Sequence, residues 1–180
     1  MVIVDLDFLR DHAMYAVIFG VFGISWFGWA QEDPPKSWRM KLGVAIGISF
    51  IVACIGGYIA FKNWGGASVF NTPGMSRQFG IIVGIEFALA SIGAGALHFL
   101  HKPKFVAAWI AFIVGAHFIP LAIIFQYKPL FILGILVALA PIVSIMVAKR
   151  LKISVVTLAS TATGSLLVVF AIRELIIAIT

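Results

Sequence analysis

Charged residues and cysteine are scarce in this 180-residue chain, which contains 13 Lys and Arg, 7 Asp and Glu, and one Cys. Only 11% of its residues are charged and 62% are hydrophobic, whereas a soluble domain is roughly 45–50% apolar and about 25% charged. This composition excludes an ordinary soluble domain. The lone Cys54 lies inside an apolar stretch, so the chain can form no internal disulfide and has no cysteine-based metal motif.

Catalytic and cofactor motifs are also missing. The sequence contains no Gly-x-Ser-x-Gly, no His-Glu-x2-His and no phosphate-binding loop. Its basic residues flank apolar segments and are not interleaved with aromatic residues, so the net charge of +6 does not indicate nucleic-acid binding. The histidines fall at different membrane depths, which disfavours haem ligation by two of them. We therefore expect no cofactor, no metal and no nucleic-acid partner.

Six long apolar segments make up most of the chain. A bilayer crossing takes roughly 20 residues as a helix, and lipid offers no partner for unpaired backbone groups. The sequence therefore predicts an all-α fold, a polytopic transmembrane six-helix bundle that forms one domain over residues 1–180. The segments cover approximately residues 12–30, 42–61, 79–100, 105–125, 130–148 and 153–176.

The connections between these segments are short, with one exception. Short connections predict that the helices they join are antiparallel neighbours. The exception spans residues 62–78 and is rich in Gly, Asn, Ser, Thr and Pro, which favour turns. Two interpretations are open: a lid over one mouth of the bundle, and a surface loop that Trp64 and Phe70 anchor at the membrane interface.

Lys and Arg are distributed unequally between the two sides of the predicted bundle, with 8 on one side and 5 on the other. The positive-inside rule makes the richer side cytoplasmic and places both termini outside. The acidic start of the chain, with Asp5, Asp7 and Asp11, agrees with this orientation and does not resemble a signal peptide. We expect a retained first segment and a multi-pass protein of a prokaryotic plasma membrane, the inner membrane where there are two.

Glu86 lies well inside an apolar segment and is identified as the only such carboxylate. An isolated ion at the bilayer centre costs about 3 kcal/mol or more, so intramembrane acids usually face the protein interior and serve a function. Counting from the turn near residue 102 puts His117 within about 3 Å of the same depth, since a helix rises about 1.5 Å per residue. Pro120 also frees the carbonyl of Ala116.

An acid beside an imidazole can hold a proton jointly, so we interpret Glu86 and His117 as a site for binding a ligand or a proton. The alternative is that the pair only fixes helix packing. Arg173, near the end of the last segment, is expected to pair with Glu86 or another anionic group, or to extend to the interface. Three residues at the start of the first segment complete the candidate site: Asp11, His12 and Tyr15.

The sixth segment carries a stripe of hydroxyl residues that fall within about 80° of one another on a helical wheel. They either line a solute path from the cytoplasmic half or hydrogen-bond to their own and neighbouring helices. The stripe consists of Ser154, Thr157, Thr161 and Ser165.

Two Gly-x3-Gly pairs permit close helix contacts, either within one chain or in a homo-oligomer. They are Gly43 with Gly47 and Gly80 with Gly84.

These patterns together predict a small membrane transporter or channel-like carrier of a small solute, with a proton-linked Glu/His site. Its partners would be the lipid bilayer and a small-molecule or ion substrate. A second interpretation is a non-catalytic membrane subunit that docks another protein. A third is a membrane-embedded enzyme acting on a lipid or an isoprenoid, with the same pair as acid and base.

Overall fold

The computed structural model describes residues 8–180, and it confirms the predicted all-α six-helix bundle. All six helices are long and apolar enough to cross a membrane, and the chain is a multi-pass membrane protein. Asp5 and Asp7, part of the acidic start, lie outside the described residues. The helices are α1 (Leu9–Ala30), α2 (Lys36–Lys62), α3 (Met75–Phe99), α4 (Val106–Ile124), α5 (Lys128–Leu151) and α6 (Val155–Ile179).

Four helices begin before the predicted apolar segments, and the differences are largest for α2 and α3. α2 starts at Lys36, directly after Pro35. Proline is tolerated at the start of a helix, because the backbone N–H that it lacks would have no partner within the helix there. α3 starts at Met75, after Gly74 in the left-handed conformation with φ 82°, which glycine adopts without steric cost. Basic residues expected in the first connection therefore lie on the first turns of α2.

α1 and α6 form the centre of the bundle and pack along each other, and α2 packs against both. Gly23 of α1 allows this close approach, since a methyl group there would overlap with Val168 of α6. The buried face of α6 repeats at spacings of four and three residues. It comprises Ser160, Gly164, Leu167, Ala171, Glu174 and Ala178.

α4 and α5 meet at a close backbone contact. A methyl group on Gly115 of α4 would overlap with the backbone nitrogen of Ala138 in α5. Pro141 follows one turn later in α5 and cannot donate a hydrogen bond to the carbonyl of Val137. The contact at Gly115 holds α4 against α5 only two residues before His117 in the sequence.

α3 is the least buried helix, and Met75 is its one residue in the buried class. It lies along α4, where the indole of Trp109 packs on Gly93 and donates a hydrogen bond of 3.1 Å to the carbonyl of Leu89. Among residues 8–180, α3 makes no extensive contact with α1, α2, α5 or α6. A gap therefore remains between α1 and α3.

Both ends of the described chain lie at the same end of the bundle, because His12 in α1 contacts Glu174 in α6 at 2.6 Å. We call this the terminal end. The connections 63–74 and 125–127 also lie there, and the other three connections lie at the opposite end.

The glycines predicted to permit close helix contacts face open space. No heavy atom of the described chain would lie within 4 Å of a methyl group on Gly43, Gly47, Gly80 or Gly84, the helix's own backbone aside. The interpretation of these glycines as close contacts within one chain is therefore wrong. The homo-oligomer interpretation stays a prediction.

Candidate functional site

Glu86 and His117 meet between α3 and α4, as the depth estimate predicts. Oε2 of Glu86 lies 3.4 Å from Nε2 of His117, and the two side chains are 15% and 11% exposed. Nδ1 of His117 lies 2.7 Å from the carbonyl oxygen of Val114, which only accepts hydrogen bonds, so Nδ1 carries a proton and donates it there. The hydrogen-bond partner of Nδ1 is thus the Val114 carbonyl, and not the Ala116 carbonyl that Pro120 frees.

This geometry turns Nε2 of His117 toward the Glu86 carboxyl. With one shared proton, the pair is either a carboxylic acid facing a neutral imidazole or a carboxylate facing an imidazolium. Without that proton, a carboxylate faces a lone pair. At this distance each group affects the protonation of the other.

The pair lies on the wall of a cavity of about 370 Å³ that α1, α3 and α4 enclose. Leu130 of α5 and Leu167 of α6 close its inner side. The titratable groups among its lining residues are Glu86, His117 and Tyr15. Aromatic and aliphatic side chains form most of the lining, and the aromatic ones are Tyr15, Phe19, Phe22, Trp26, Trp29, Phe79, Phe87, Phe118 and Phe125.

The cavity opens sideways through the gap between α1 and α3. Lining residues on both edges of this gap are exposed: Phe22 on α1 is 48% exposed and Phe87 on α3 is 65% exposed. In a membrane these edges face acyl chains, since both lie on transmembrane helices. The cavity is therefore accessible from the lipid.

A second acid, Glu174, is completely buried near the terminal end. Its carboxylate accepts a hydrogen bond from His12 Nδ1 at 2.6 Å and one from the Tyr127 hydroxyl, which lies 2.8 and 2.9 Å from its two oxygens. Arg173 forms an ion pair with Glu174 and donates to the Tyr127 oxygen at 2.6 Å. Burial, and next the charge of Glu174, raise the pKa of Tyr127, so its hydroxyl keeps the proton that it donates.

Two sequence-based expectations are corrected by this network. Arg173 contacts Glu174 and Tyr127, and the expected pairing with Glu86 is not formed. Glu86 is also not the only carboxylate inside an apolar segment, because Glu174 lies inside α6 with no exposed surface. The signal for Glu174 is its position three residues after Ala171 and four before Ala178, small residues on the buried face of α6.

The six predicted site residues fall into three groups. Glu86, His117 and Tyr15 line the cavity. His12 and Arg173 belong to the Glu174 network, and Tyr15 lies between the two groups because its ring stacks on that of Tyr127 at 5.6 Å. Asp11 belongs to neither.

Asp11 holds the long connection between α2 and α3 against α1. Its Oδ2 accepts a hydrogen bond of 2.7 Å from the backbone N–H of Val69, and Arg10 donates one of 2.7 Å to the carbonyl of Trp64. Phe70 packs edge-on against Phe79 at the cavity lining. The connection thus packs across the terminal end, and a recess of about 340 Å³ beneath it shares Tyr15, Ile18, Phe79 and Phe125 with the cavity.

Replacing Asp11 with alanine is expected to loosen this connection, because a hydrogen bond to a carboxylate contributes about 1.5–3 kcal/mol. Amide hydrogen exchange in residues 63–74 should then become roughly tenfold faster or more, measured by mass spectrometry in detergent. Asp33→Ala is the matched control, because Asp33 is exposed at the opposite end. Equal exchange rates in Asp11→Ala and the wild type would contradict the expectation.

The hydroxyl stripe of α6 is engaged mainly in structural hydrogen bonds. Ser154 caps the helix by accepting from the N–H of Thr157 at 3.1 Å, and the Thr157 hydroxyl donates to the carbonyl of Ala30 at 3.4 Å. Ser165 donates to the carbonyl of Thr161 at 2.7 Å. Thr161 and Ser165 line a separate recess of about 360 Å³, which shares no lining residue with the aromatic cavity. The stripe therefore forms no continuous path to Glu86 in the described chain.

No protein-family model, curated protein or solved structure matches this chain. Within the described part of the chain, no three His, Cys, Asp or Glu side chains converge to hold a metal ion. The candidate site of the described chain is therefore the Glu86–His117 pair with the cavity beside it.

Proposed function

We propose that this protein is a small integral membrane carrier of a small solute, and that Glu86 and His117 form its proton-linked binding site. The observation that carries the proposal is an acid and an imidazole that lie 3.4 Å apart at the wall of an otherwise largely apolar cavity. Intramembrane ionisable groups with such access commonly mark substrate or proton pathways.

The coupling follows from the cost of an unpaired charge in an apolar site. When the cavity is empty, the pair keeps its proton, because a bare carboxylate beside aromatic rings and lipid would be poorly solvated. A solute that stabilises the carboxylate displaces the proton, and the return of the proton releases the solute. Solute movement in one direction thereby drives proton movement in the other.

Access to the two membrane surfaces would alternate through movement of α3. This helix is held mainly by α4 and by the connection at the terminal end, so it can shift against α1 without disrupting the central contact of α1 with α6. We place the protein in a prokaryotic plasma membrane with the terminal end outside, an orientation that the distribution of Lys and Arg supports.

The test is solute-driven proton flux in proteoliposomes that contain a trapped pH-sensitive dye. A panel of small cations, anions and neutral solutes is added one at a time. We expect at least one class to drive flux in the wild type and in Asp33→Asn, and the flux to fall at least tenfold in Glu86→Gln. The physical reason is that a glutamine cannot exchange a proton.

Two outcomes would overturn the carrier proposal. One is the absence of flux with every solute class. The other is flux that is unchanged in Glu86→Gln while the thermal stability of that variant falls, which would make the pair a packing contact and favour the partner-docking interpretation.

A second candidate function is supported by the side opening between α1 and α3. A membrane-embedded enzyme acting on a lipid or an isoprenoid needs such an entrance, and Glu86 and His117 could serve as its acid and base. Incubating the purified protein with a total lipid extract and comparing lipid masses with those of Glu86→Gln tests it. Identical lipid profiles would exclude turnover of the lipids supplied.

A further inference from the structure

We infer that the cavity beside Glu86 binds a monovalent lipophilic cation, an inference that rests on the carrier function proposed above. Among residues 8–180, nine aromatic side chains and one carboxyl group line this cavity, and no Lys or Arg does. Aromatic faces carry partial negative charge and attract cations, most strongly in sites that exclude water. The lining therefore matches a ligand with a positive charge and an apolar body.

The same lining disfavours the other ligand classes. An anion would face the Glu86 carboxyl in a low-dielectric site to which residues 8–180 contribute no Lys or Arg. A sugar or another polyhydroxylated solute would find few partners, because the polar groups of the lining belong to Ser25, Tyr15, Glu86, His117 and the indoles of Trp26 and Trp29. Ser25 already donates to the carbonyl of Val21 at 3.2 Å, and Trp29 donates to Glu32 at 3.2 Å. The solute's remaining hydroxyl groups would be buried without hydrogen bonds.

The proton balance of binding also fits a single positive charge. Before binding, the pair holds one proton; on binding, that proton leaves to water and the cation takes its place beside the carboxylate. His117 stays neutral, with Nδ1 donating to the Val114 carbonyl. The net charge of the cavity is zero before and after, so the step buries no additional net charge.

Few titratable or charged groups of the described chain lie near Glu86, so protons released on cation binding can be assigned to the Glu86–His117 pair. His117 faces it from α4, Tyr15 lines the same cavity from α1, and the contributions of α5 and α6 are the apolar Leu130 and Leu167. Arg10 and Asp11 line the adjoining recess at the terminal end. Because one proton leaves per cation bound, the apparent affinity should rise roughly tenfold per pH unit wherever the empty pair is protonated.

The size and the access of the cavity agree with this ligand class. Its volume of about 370 Å³ falls within the range of roughly 300–1,000 Å³ that is typical of sites for drug-sized molecules. Lipophilic cations dissolve in bilayers and can enter through the gap between α1 and α3 without crossing water. The exposed lining residues at that gap include the apolar Ile18, Phe22 and Phe87, together with Ser25.

The test compares two probes of the same shape and opposite charge, tetraphenylphosphonium and tetraphenylborate. Each is titrated into the detergent-solubilised full chain at three pH values one unit apart around neutrality. Binding is followed by calorimetry in two buffers of different ionisation enthalpy, which also reports released protons. We expect the phosphonium to bind with release of about one proton and the borate to bind at least tenfold more weakly.

Variants at Glu86 test the role of its charge. Glu86→Gln should weaken phosphonium binding at least tenfold and remove its pH dependence, whereas Glu86→Asp, which keeps the charge, and Asp33→Asn should both retain pH-dependent binding. An unchanged elution profile of Glu86→Gln in size-exclusion chromatography verifies its fold. Equal affinity for the two probes, or phosphonium binding that is unchanged in Glu86→Gln, would overturn the inference.

The two proposals fail in different ways. If the phosphonium does not bind but another solute class drives Glu86-dependent proton flux, the cation assignment is wrong and the carrier function stands. If the phosphonium binds in a Glu86-dependent manner but no solute drives proton flux, the carrier function is wrong and a cation-binding site is left.

Discussion

Replacing Glu174 with glutamine is expected to lower the free energy of unfolding by about 3 kcal/mol or more, because it disrupts several hydrogen bonds to a buried carboxylate, each contributing roughly 1.5–3 kcal/mol. Glu174 has no exposed surface, and its two oxygens bind His12, Tyr127 and Arg173 at once. An amide in its place loses the charge that Arg173 neutralises. The NH₂ group of the glutamine would also face side chains that donate hydrogen bonds, so it would lack an acceptor there.

This network is expected to matter because it joins distant parts of the chain. Glu174 is 162 residues from His12 and 47 from Tyr127, so a single carboxylate links α1, the connection before α5, and α6 at the terminal end. Loss of the carboxylate weakens all of these links together. Tyr127→Phe removes only one of the donors to the carboxylate and should cost less, at the lower end of the roughly 1.5–3 kcal/mol of a hydrogen bond to a charged group.

The measurement is unfolding of the purified variants in mixed micelles of a mild detergent with increasing sodium dodecyl sulfate, followed by circular dichroism. Glu32→Gln is the matched control, since Glu32 is exposed and should change the free energy of unfolding by less than about 0.5 kcal/mol. If Glu174→Gln is as stable as the control, the buried network does not hold the terminal end together.

Gly115→Ala is expected to give the second large effect, at the upper end of the roughly 1–3 kcal/mol that overpacking costs, or beyond. The added methyl group would overlap with the backbone nitrogen of Ala138, and a backbone cannot move aside as a flexible side chain can. α4 and α5 must therefore separate. Because His117 follows two residues later in α4, the separation should also displace it from Glu86.

Gly28→Ala is the control for this change, because no heavy atom of the described chain beyond the backbone of its own helix would lie within 4 Å of a methyl group there. Alanine favours helix more than glycine does, so this control should keep or slightly raise stability. The same micelle titration compares the two variants, and cross-linking between cysteines placed on α4 and α5 reports their separation. Equal stability of Gly115→Ala and Gly28→Ala would contradict the close contact.

The helices could be predicted because a bilayer demands about 20 apolar residues from each crossing, however the helices then pack. The contact between Glu86 and His117 could also be predicted, since a tight turn fixes the relative depth of two neighbouring helices and depth follows from residue count. That both residues line one laterally open cavity could not be predicted from the sequence. It depends on α3 packing only loosely against α1, which no pattern within α3 reveals.

Glu174 was missed for a different physical reason. It lies beside Arg173 near the end of α6, where an ion pair at the membrane interface is an ordinary arrangement. Its burial depends on the rotation of α6 toward α1, and its partners His12 and Tyr127 are remote in sequence. The spacing of Ala171 and Ala178 around it was the one local indication that it faces the protein.

The gap between α1 and α3 has a consequence for how any affinity at this cavity is measured. A ligand that enters through the gap comes from the membrane phase, so its local concentration is set by its partition coefficient and by the amount of lipid or detergent present. Dissociation constants referred to the aqueous concentration will therefore shift with micelle content, even when the intrinsic affinity is constant. Binding data for this protein should be expressed as moles of ligand per mole of lipid or detergent.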